Sequence, residues 1–497
     1  MPTTVEHLTL DERKARGVAA RTRAMPDSHA GWKPAADRPD PVALIEEQNL
    51  RRDADLVPVR HGRMMASPFT FYRGAARIMA ADLAETPTSG LHVQLCGDAH
   101  LSNFGVFASP ERNLVFDIND FDETLPGPFE YDVKRLAASL MVAAQNNGCS
   151  ESDARAITKA CATSYRETMA EFATIKTLDV WYAHLAEDQI KQSVSEFLAG
   201  SDGKGKGSKK GKHKGTRELD GMSGLSSKEA KQARKRFEKN AQKSHSRTSD
   251  QALSKLGEEV DGRYRIVSVP PVIVPVRDLH TAYGVAPGEL EEVVFSLFRD
   301  YRSTLRLDLR QLLERFEIVD WARKVVGVGS VGTRAFVVLL QGRDGGDPLF
   351  LQVKEATRSV LEGTLRKSAF KQPGERVVQG QRLMQANSDI FLGWSKGVQA
   401  DRYFYWRQLR DMKGSALVEL MAPAELAFYA RTCGWTLARA HARSGDPVSI
   451  AAYLGEDDAF DKSITDFSER YAAQNDQDFA DFAKAIASNR IEAIQDV

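Results

Sequence analysis

The chain has 497 residues, 42% of them hydrophobic, which is ample for a core and, by ordinary domain sizes, predicts two or about three units. Lys plus Arg equals Asp plus Glu at 68 each, so no global field draws the chain to nucleic acid or an anionic surface. No run approaches the roughly 18 apolar residues a membrane span needs, and the start, MPTTVEHLTLDERKARG, has no apolar signal-peptide core.

In chain order, residues 1–40 are polar and punctuated by Pro and Gly, which predicts an arm lying on the surface. Arg60, Arg63 and Arg73 then flank Ser67-Pro68-Phe69. They can bind a phosphate or an anionic acceptor, or form structural ion pairs with Asp117, Asp122 and Glu123. Next come Cys96-Gly97-Asp98-Ala99-His100-Leu101-Ser102-Asn103 and Phe116-Asp117-Ile118-Asn119-Asp120-Phe121-Asp122-Glu123. An Asp with an Asn five residues later suits phosphoryl transfer: Asp98 accepts the proton of a substrate hydroxyl, and the Asn103 oxygen helps hold magnesium. A second Asp beyond a short hairpin supplies the other protein ligand. Hard, oxygen-only ligands of this kind suit magnesium and argue against zinc. The four cysteines, Cys96, Cys149, Cys161 and Cys433, have neither metal-ligand spacing nor a disulfide framework, as expected of a reduced, cytoplasmic enzyme.

These motifs resemble the protein-kinase-like superfamily, especially its aminoglycoside and choline phosphotransferase branch. That branch carries a His-Gly-Asp-x-His-x-x-Asn loop, a hydrophobic-Asp-aromatic-acidic segment and a Tyr-Asp-Leu-Ala helix start. Here they correspond to Cys96–Asn103, Asp120–Glu123 and Tyr131-Asp132-Val133-Lys134-Arg135-Leu136-Ala137. Asp132 lies twelve residues after Asp120, the spacing the branch favours, which selects Asp120 over Asp117 as the metal ligand. Cys96 departs from the first His, a residue that orients the loop. The resemblance also implies that His100 hydrogen-bonds within the loop. A second resemblance, over roughly residues 40 to 470, is to an uncharacterised bacterial family, domain of unknown function 2252. It is carried by Ser67-Pro68-Phe69, Phe71-Tyr72-Arg73-Gly74, the Gly97-Asp98-Ala99-His100 loop and Ala438-Arg439-Ala440-His441-Ala442-Arg443. It implies no substrate.

Helical patterns fill 130–198. Residues 199–216, Lys- and Gly-rich, cannot bury a core and are expected to be disordered. The basic Lys228–Lys243 stretch is helix-permissive and has one aromatic, Phe237, so it reads as a solvated insertion, and nucleic acid is disfavoured as a partner. Gly288–Phe316 reads as helix, with Leu290, Val293, Val294, Leu297 and Phe298 on one face.

Farther on, Gly327, Gly329 and Gly332 form G-x-G-x-x-G between two β-rich runs. Glycines there admit phosphate oxygens to backbone N–H groups. A Rossmann turn opens a helix after such a loop, whereas Thr333–Leu340 is strand-like, the arrangement of a kinase glycine loop. The next strand, Leu349–Ala356, ends in Lys354, twenty-two residues after Gly332. It resembles the third-strand Lys of kinases, although an isolated strand-end Lys often simply reaches solvent. Within the following amphipathic segment, Gly374–Met384, Glu375 is the expected ion-pair partner of Lys354, with Glu355 and Glu362 as alternatives. Phe391–Lys396 and Tyr403–Leu409 read as strands, Asp411–Ser415 as an adenine-holding hinge, and Ala424–Arg443 as a helix on which His441 is a satisfied core residue.

The order is therefore permuted: catalytic loop first, glycine loop and Lys more than 200 residues later, pre-loop helix last. The expected fold class is α+β, a protein-kinase-like two-lobe fold, circularly permuted. Its parts are a polar arm (1–40), a large-lobe part (41–314, with a basic insertion at 199–250), a small nucleotide-binding lobe (315–415) and a C-terminal helical part (416–497). The expected function is a Mg-dependent phosphotransferase with ATP and Mg2+ as cofactors, acting on an unknown hydroxyl-bearing acceptor. Asp98 is the base, Asn103 and Asp120 hold the metal, and Gly327, Gly329, Gly332, Lys354 and Glu375 serve the nucleotide. Nucleotidyl transfer in the same site, a metal-dependent hydrolase built on Asp98, His100, Asp117 and Asp120, and a non-catalytic nucleotide-binding regulator are the alternatives. No membrane partner is expected, and oligomeric state stays open.

Overall fold

The structure, a computed structural model, describes residues 7–200, 227–278, 287–325, 327, 329, 331–397, 401–409 and 411–494. The fold is mixed α+β with several sheets. Most of the residues expected to be disordered (199–216) lie outside the described ones. The basic Lys228–Lys243 stretch lies in a helix, Ser227–His245.

The strands in chain order are β1 (His92–Leu95), β2 (Phe104–Ala108), β3 (Leu114–Ile118), β4 (Leu125–Pro128) and β5 (Leu185–Ala186). They continue with β6 (Gly257–Val260), β7 (Arg263–Ile266), β8 (Ile273–Pro275), β9 (Glu317–Lys324) and β10 (Ala335–Gln341). The last four are β11 (Pro348–Glu355), β12 (Gly393–Lys396), β13 (Tyr403–Gln408) and β14 (Gly414–Ser415). A six-stranded antiparallel sheet runs β12-β13-β11-β10-β9-β8, and a four-stranded one runs β14-β2-β3-β5.

β10 and β11 are apolar runs because both their faces are covered. Val338, Leu340 and Leu351 join a cluster with Leu297, Phe298 and Tyr301 of the helix Pro287–Ser303. Val337, Leu339 and Phe350 point the other way, into a cluster with Ala252, Leu256 and Ile266. This is the period-2 alternation of a pleated strand. The expected single helix at 288–316 is two, Pro287–Ser303 and Leu307–Leu313, followed by β9.

The main core is helical. In the helix Glu130–Asn146 every side chain from Glu130 to Ala144 is buried, the mark of a helix enclosed on all sides. The helices Glu151–Phe172 and Pro423–Ser444 meet at Gly434, where a Cβ would lie 2.4 Å from the Cys161 carbonyl oxygen. Only glycine permits that approach.

Residues 7–40 keep most of their side chains exposed and are anchored at a few points. They include a capped helix, Leu10–Ala20, and bury Trp32 against Phe467 and Tyr471 of the helix Ala459–Ala487. One large apolar ring outweighs the polar composition around it.

Candidate functional site

The loop that leaves β1 is shaped by the helix that follows β4. Asp132, in the first turn of Glu130–Asn146, accepts hydrogen bonds from the backbone N–H groups of Cys96 (2.7 Å) and Gly97 (3.0 Å). His441 completes this anchor: Nε2 lies 3.3 Å from Asp132 and Nδ1 2.9 Å from the Tyr165 hydroxyl. Gly97 has φ 87°, and a Cβ on it would lie 2.2 Å from the Glu123 carbonyl oxygen. Glycine is required there on both counts.

Within this frame Arg135 Nε donates to Asp98 Oδ1 at 2.8 Å, and Asp98 lines a cavity of about 690 Å³. Asn103 Nδ2 donates to the Asp98 carbonyl at 2.7 Å, which leaves Asn103 Oδ1 as the free end of the amide. The Asn119 N–H donates to the Asn103 carbonyl at 2.7 Å and ties the acidic segment to the loop. Leu95 pairs with Leu125, so the loop and the 119–124 segment leave the same end of the β1–β4 ladder.

Lys354 arrives from the other sheet, between Ala335 of β10 and Tyr405 of β13. Its Nζ lies 2.8 Å from Asp122 and 3.9 Å from Asp120, although more than 230 residues separate them in sequence. Tyr405 donates its hydroxyl to the other Asp122 oxygen at 2.6 Å. Burial pushes both carboxyls up. For Asp120 the repulsion of Asp122 adds to this and the pKa stays raised, whereas Lys354 and Tyr405 hold Asp122 below its ordinary value. Burial alone would lower the Lys354 ammonium, but the two carboxylates raise it.

Gly327, Gly329 and Gly332 lie in the β9–β10 hairpin, and the first two line the cavity with Asp98, Asn103, Asp120 and Lys354. Gly327 and Gly332 have positive φ, 66° and 83°. The hairpin is tethered by Arg63 donating to the Gly327 carbonyl (2.7 Å) and by the Asp53 N–H donating to the Gly332 carbonyl (2.8 Å). A cation and glycines from one half of the chain thus face carboxylates and an amide from the other.

Several expectations are corrected. Glu375 is not the partner of Lys354: Asp122 is. Its helix, Pro373–Met384, instead turns the neighbouring Arg376 inward to donate to the carbonyls of Thr124, Asp122 (2.7 Å) and Thr357 (2.9 Å). Glu355, an alternative, is engaged by Arg334 and Arg402. Of the two uses left open for Arg60 and Arg63, Arg60 shows neither, bonding instead to Gln48, Asn49 and the Gly74 carbonyl, and Arg63 donates to the Gly327 carbonyl. His100 makes a 3.8 Å contact to Asp98, and its buried Nδ1 has no hydrogen-bond partner among the described residues; burial, then Arg73 and Arg135, drive its pKa well down.

Sequence reasoning passed over Arg135, Tyr405, Arg407 and Lys413. Arg135 stands inside the quoted Tyr131–Ala137 motif and was findable. Arg407 donates to the Asn119 carbonyl at 3.1 Å, and Lys413 reaches the cavity from the expected hinge. Neither carries a motif signal, since what they meet is backbone or sits across a sheet.

Asp117 is committed elsewhere. It pairs with Arg439 and accepts from the N–H groups of Ile118 (2.8 Å) and Ala386 (3.0 Å). Among the described residues, no group of three or more His, Cys, Asp or Glu is placed to hold a metal ion, and no helix is long and apolar enough to cross a membrane.

A family model described as "uncharacterized protein conserved in bacteria (DUF2252)" matches residues 52–205 and 205–485. No curated protein and no solved structure matches the chain.

Proposed function

We propose a function from one premise: the chain belongs to the family of uncharacterised proteins conserved in bacteria, DUF2252, whose description carries no activity. The reading its geometry supports best is a magnesium-dependent, ATP-using phosphotransferase on a circularly permuted, kinase-like two-lobe frame. The observation that carries it is the meeting of Lys354 with Asp120 and Asp122 in the cavity that Asp98, Asn103 and the glycine hairpin share.

The donor set fits the groups this chemistry needs. Asp120 and the free Asn103 oxygen are hard ligands suited to magnesium, which supplies a positive centre for phosphate oxygens when bound. Lys354 and the backbone of Gly327 and Gly329 would hold the nucleotide phosphates, with Asp122 and Tyr405 fixing the ammonium. Arg135 fixes Asp98. In the transfer, the acceptor oxygen bonds to the terminal phosphorus, the bridging P–O bond breaks to release ADP, and the hydroxyl proton passes to Asp98.

The hydrolase reading loses Asp117, whose oxygens already serve Arg439 and two backbone N–H groups. Calorimetric titration of a non-hydrolysable ATP analogue, with and without magnesium, tests the proposal. Wild type is expected to bind only with magnesium, and Asp120→Ala to abolish that binding. Absence of binding by wild type would sink it.

A further inference from the structure

We infer that the acceptor alcohol carries an anionic group and that Arg73 reads it. The inference rests on the phosphotransferase reading of the same site and narrows it to a substrate class.

Arg73 closes the short helix Pro68–Gly74, and the residue before it is locked to the base. The Tyr72 hydroxyl donates to the Arg135 carbonyl at 2.8 Å, and Arg135 Nη2 donates back to the Tyr72 carbonyl at 2.9 Å. The same guanidinium donates through Nε to Asp98 at 2.8 Å. Asp98, Arg135 and Tyr72 thus form one rigid bridge, and Arg73 is the next residue along it. Its side chain lines the cavity alongside Asp98 and His100, with its guanidinium carbon 5.9 Å from the centre of the Phe69 ring.

Arg73 is one of the cavity cations that no carboxylate pairs among the described residues; Arg52, which donates to the Val331 carbonyl, is another. Lys354 is paired with Asp122, Arg407 serves the Asn119 carbonyl and Gln352, and Arg376 is spent on carbonyls. Among the described residues no carboxylate forms an ion pair with Arg73, and its Nε is buried with no hydrogen-bond partner. The acidic charges that act on it are Glu419, exposed to solvent, and Asp98, already held by Arg135. A half-buried guanidinium with no directly paired carboxylate is costly, and its planar fork matches a phosphate or carboxylate. The cavity mouth agrees in sign: its exposed charged residues are Arg51, Arg358 and Lys367 against Glu47 alone. ATP phosphates also answer to a basic mouth. Arg73 is tied through Tyr72 and Arg135 to Asp98, where the hydroxyl must sit, and its carbonyl also borders Gly329 of the hairpin, so the analogue arm of the test separates the two uses.

The test titrates inorganic phosphate, glycerol 3-phosphate, glycerate and glycerol into the full chain, each with and without magnesium and the non-hydrolysable ATP analogue. Wild type is compared with Arg73→Gln and Arg73→Lys. The expected result is binding of at least one anionic probe but not of glycerol. Arg73→Gln should weaken it about tenfold or more, Arg73→Lys less, with analogue affinity changed less than about twofold. The phosphate and carboxylate arms identify the anion. Failure of every anionic probe to bind, equal binding in wild type and both variants, or a loss confined to the analogue each overturns the inference. Anion binding that needs Arg73 in a protein that never binds the analogue would support the anion site while removing the phosphotransferase reading.

Discussion

At the scale of single residues, Glu123 is the group whose titration should be measurable in the stability of the whole protein. Burial pushes its carboxyl from an ordinary 4.5 up to about 7, against the opposing pull of Arg376 and the Val360 N–H, which donates to it at 2.7 Å. The fold therefore favours the protonated acid. The associated stability is fully present below pH 4.5 and is lost as pH rises through about 7. Glu123→Gln keeps an oxygen for the Val360 N–H and removes the titration. Between pH 4.5 and pH 8 the variant should gain about 2–3 kcal/mol on wild type, read from denaturant unfolding at both values. An unchanged difference between the two proteins would mean that Glu123 is charged throughout. The sequence showed Glu123 only as one more acid beside Asp122. Its shift comes from burial, to which the segment of Ser359 and Val360, bonded to it from more than 230 residues away, contributes.

At the scale of elements, the β9–β10 hairpin separates two roles that its sequence pattern merges. Gly327 and Gly332 both adopt positive φ, but a Cβ on Gly327 would meet nothing within 4 Å, whereas on Gly332 it would meet the Arg52 side chain at 3.0 Å. Gly327→Ala should cost only the left-handed conformation, about 1–2 kcal/mol. Gly332→Ala should cost that and also displace Arg52, loosening the hairpin from the Asp53 segment. The expected outcome is a larger loss of ATP-analogue affinity for Gly332→Ala than for Gly327→Ala, measured by the same calorimetry. Equal losses would make the Arg52 contact irrelevant. The hairpin itself was legible because glycines between two β-branched runs have few other uses, and the strands carrying Lys354 and Tyr405 were legible for the same reason. The partner of Lys354 was not. Helical phase turns Arg376 rather than Glu375 under the sheet, and the acceptors Arg376 finds are carbonyls, which a sequence does not display.

At the scale of the molecule, the proposed permuted order needs the early and late parts of the chain to share one body, and residues 7–40 show how they do. Trp32 is 6% exposed, with its ring 5.0 Å from Tyr471 and 6.0 Å from Phe467. His29 shares a hydrogen bond with the Tyr453 hydroxyl at 2.7 Å. Arg38 binds Asp82 and Asp478 together, each through two bonds of 2.7–2.8 Å, so one guanidinium joins the helix before β1 to the C-terminal helix. Composition pointed to an arm lying on the surface because Pro, Gly and charge outnumber the apolar residues; the few apolar side chains fix where the segment lies. Trp32→Ala should therefore destabilise the protein by about 3–5 kcal/mol, as large-to-small core changes do. Arg38→Ala should be costly as well, because it strands two nearly buried carboxylates. Denaturant unfolding measures both. A cost below about 1 kcal/mol for Trp32→Ala would mean that Trp32 does not anchor residues 7–40. If the cost is as large as expected, the segment is a clamp, and its removal should weaken ATP-analogue binding even though none of its residues lines the cavity.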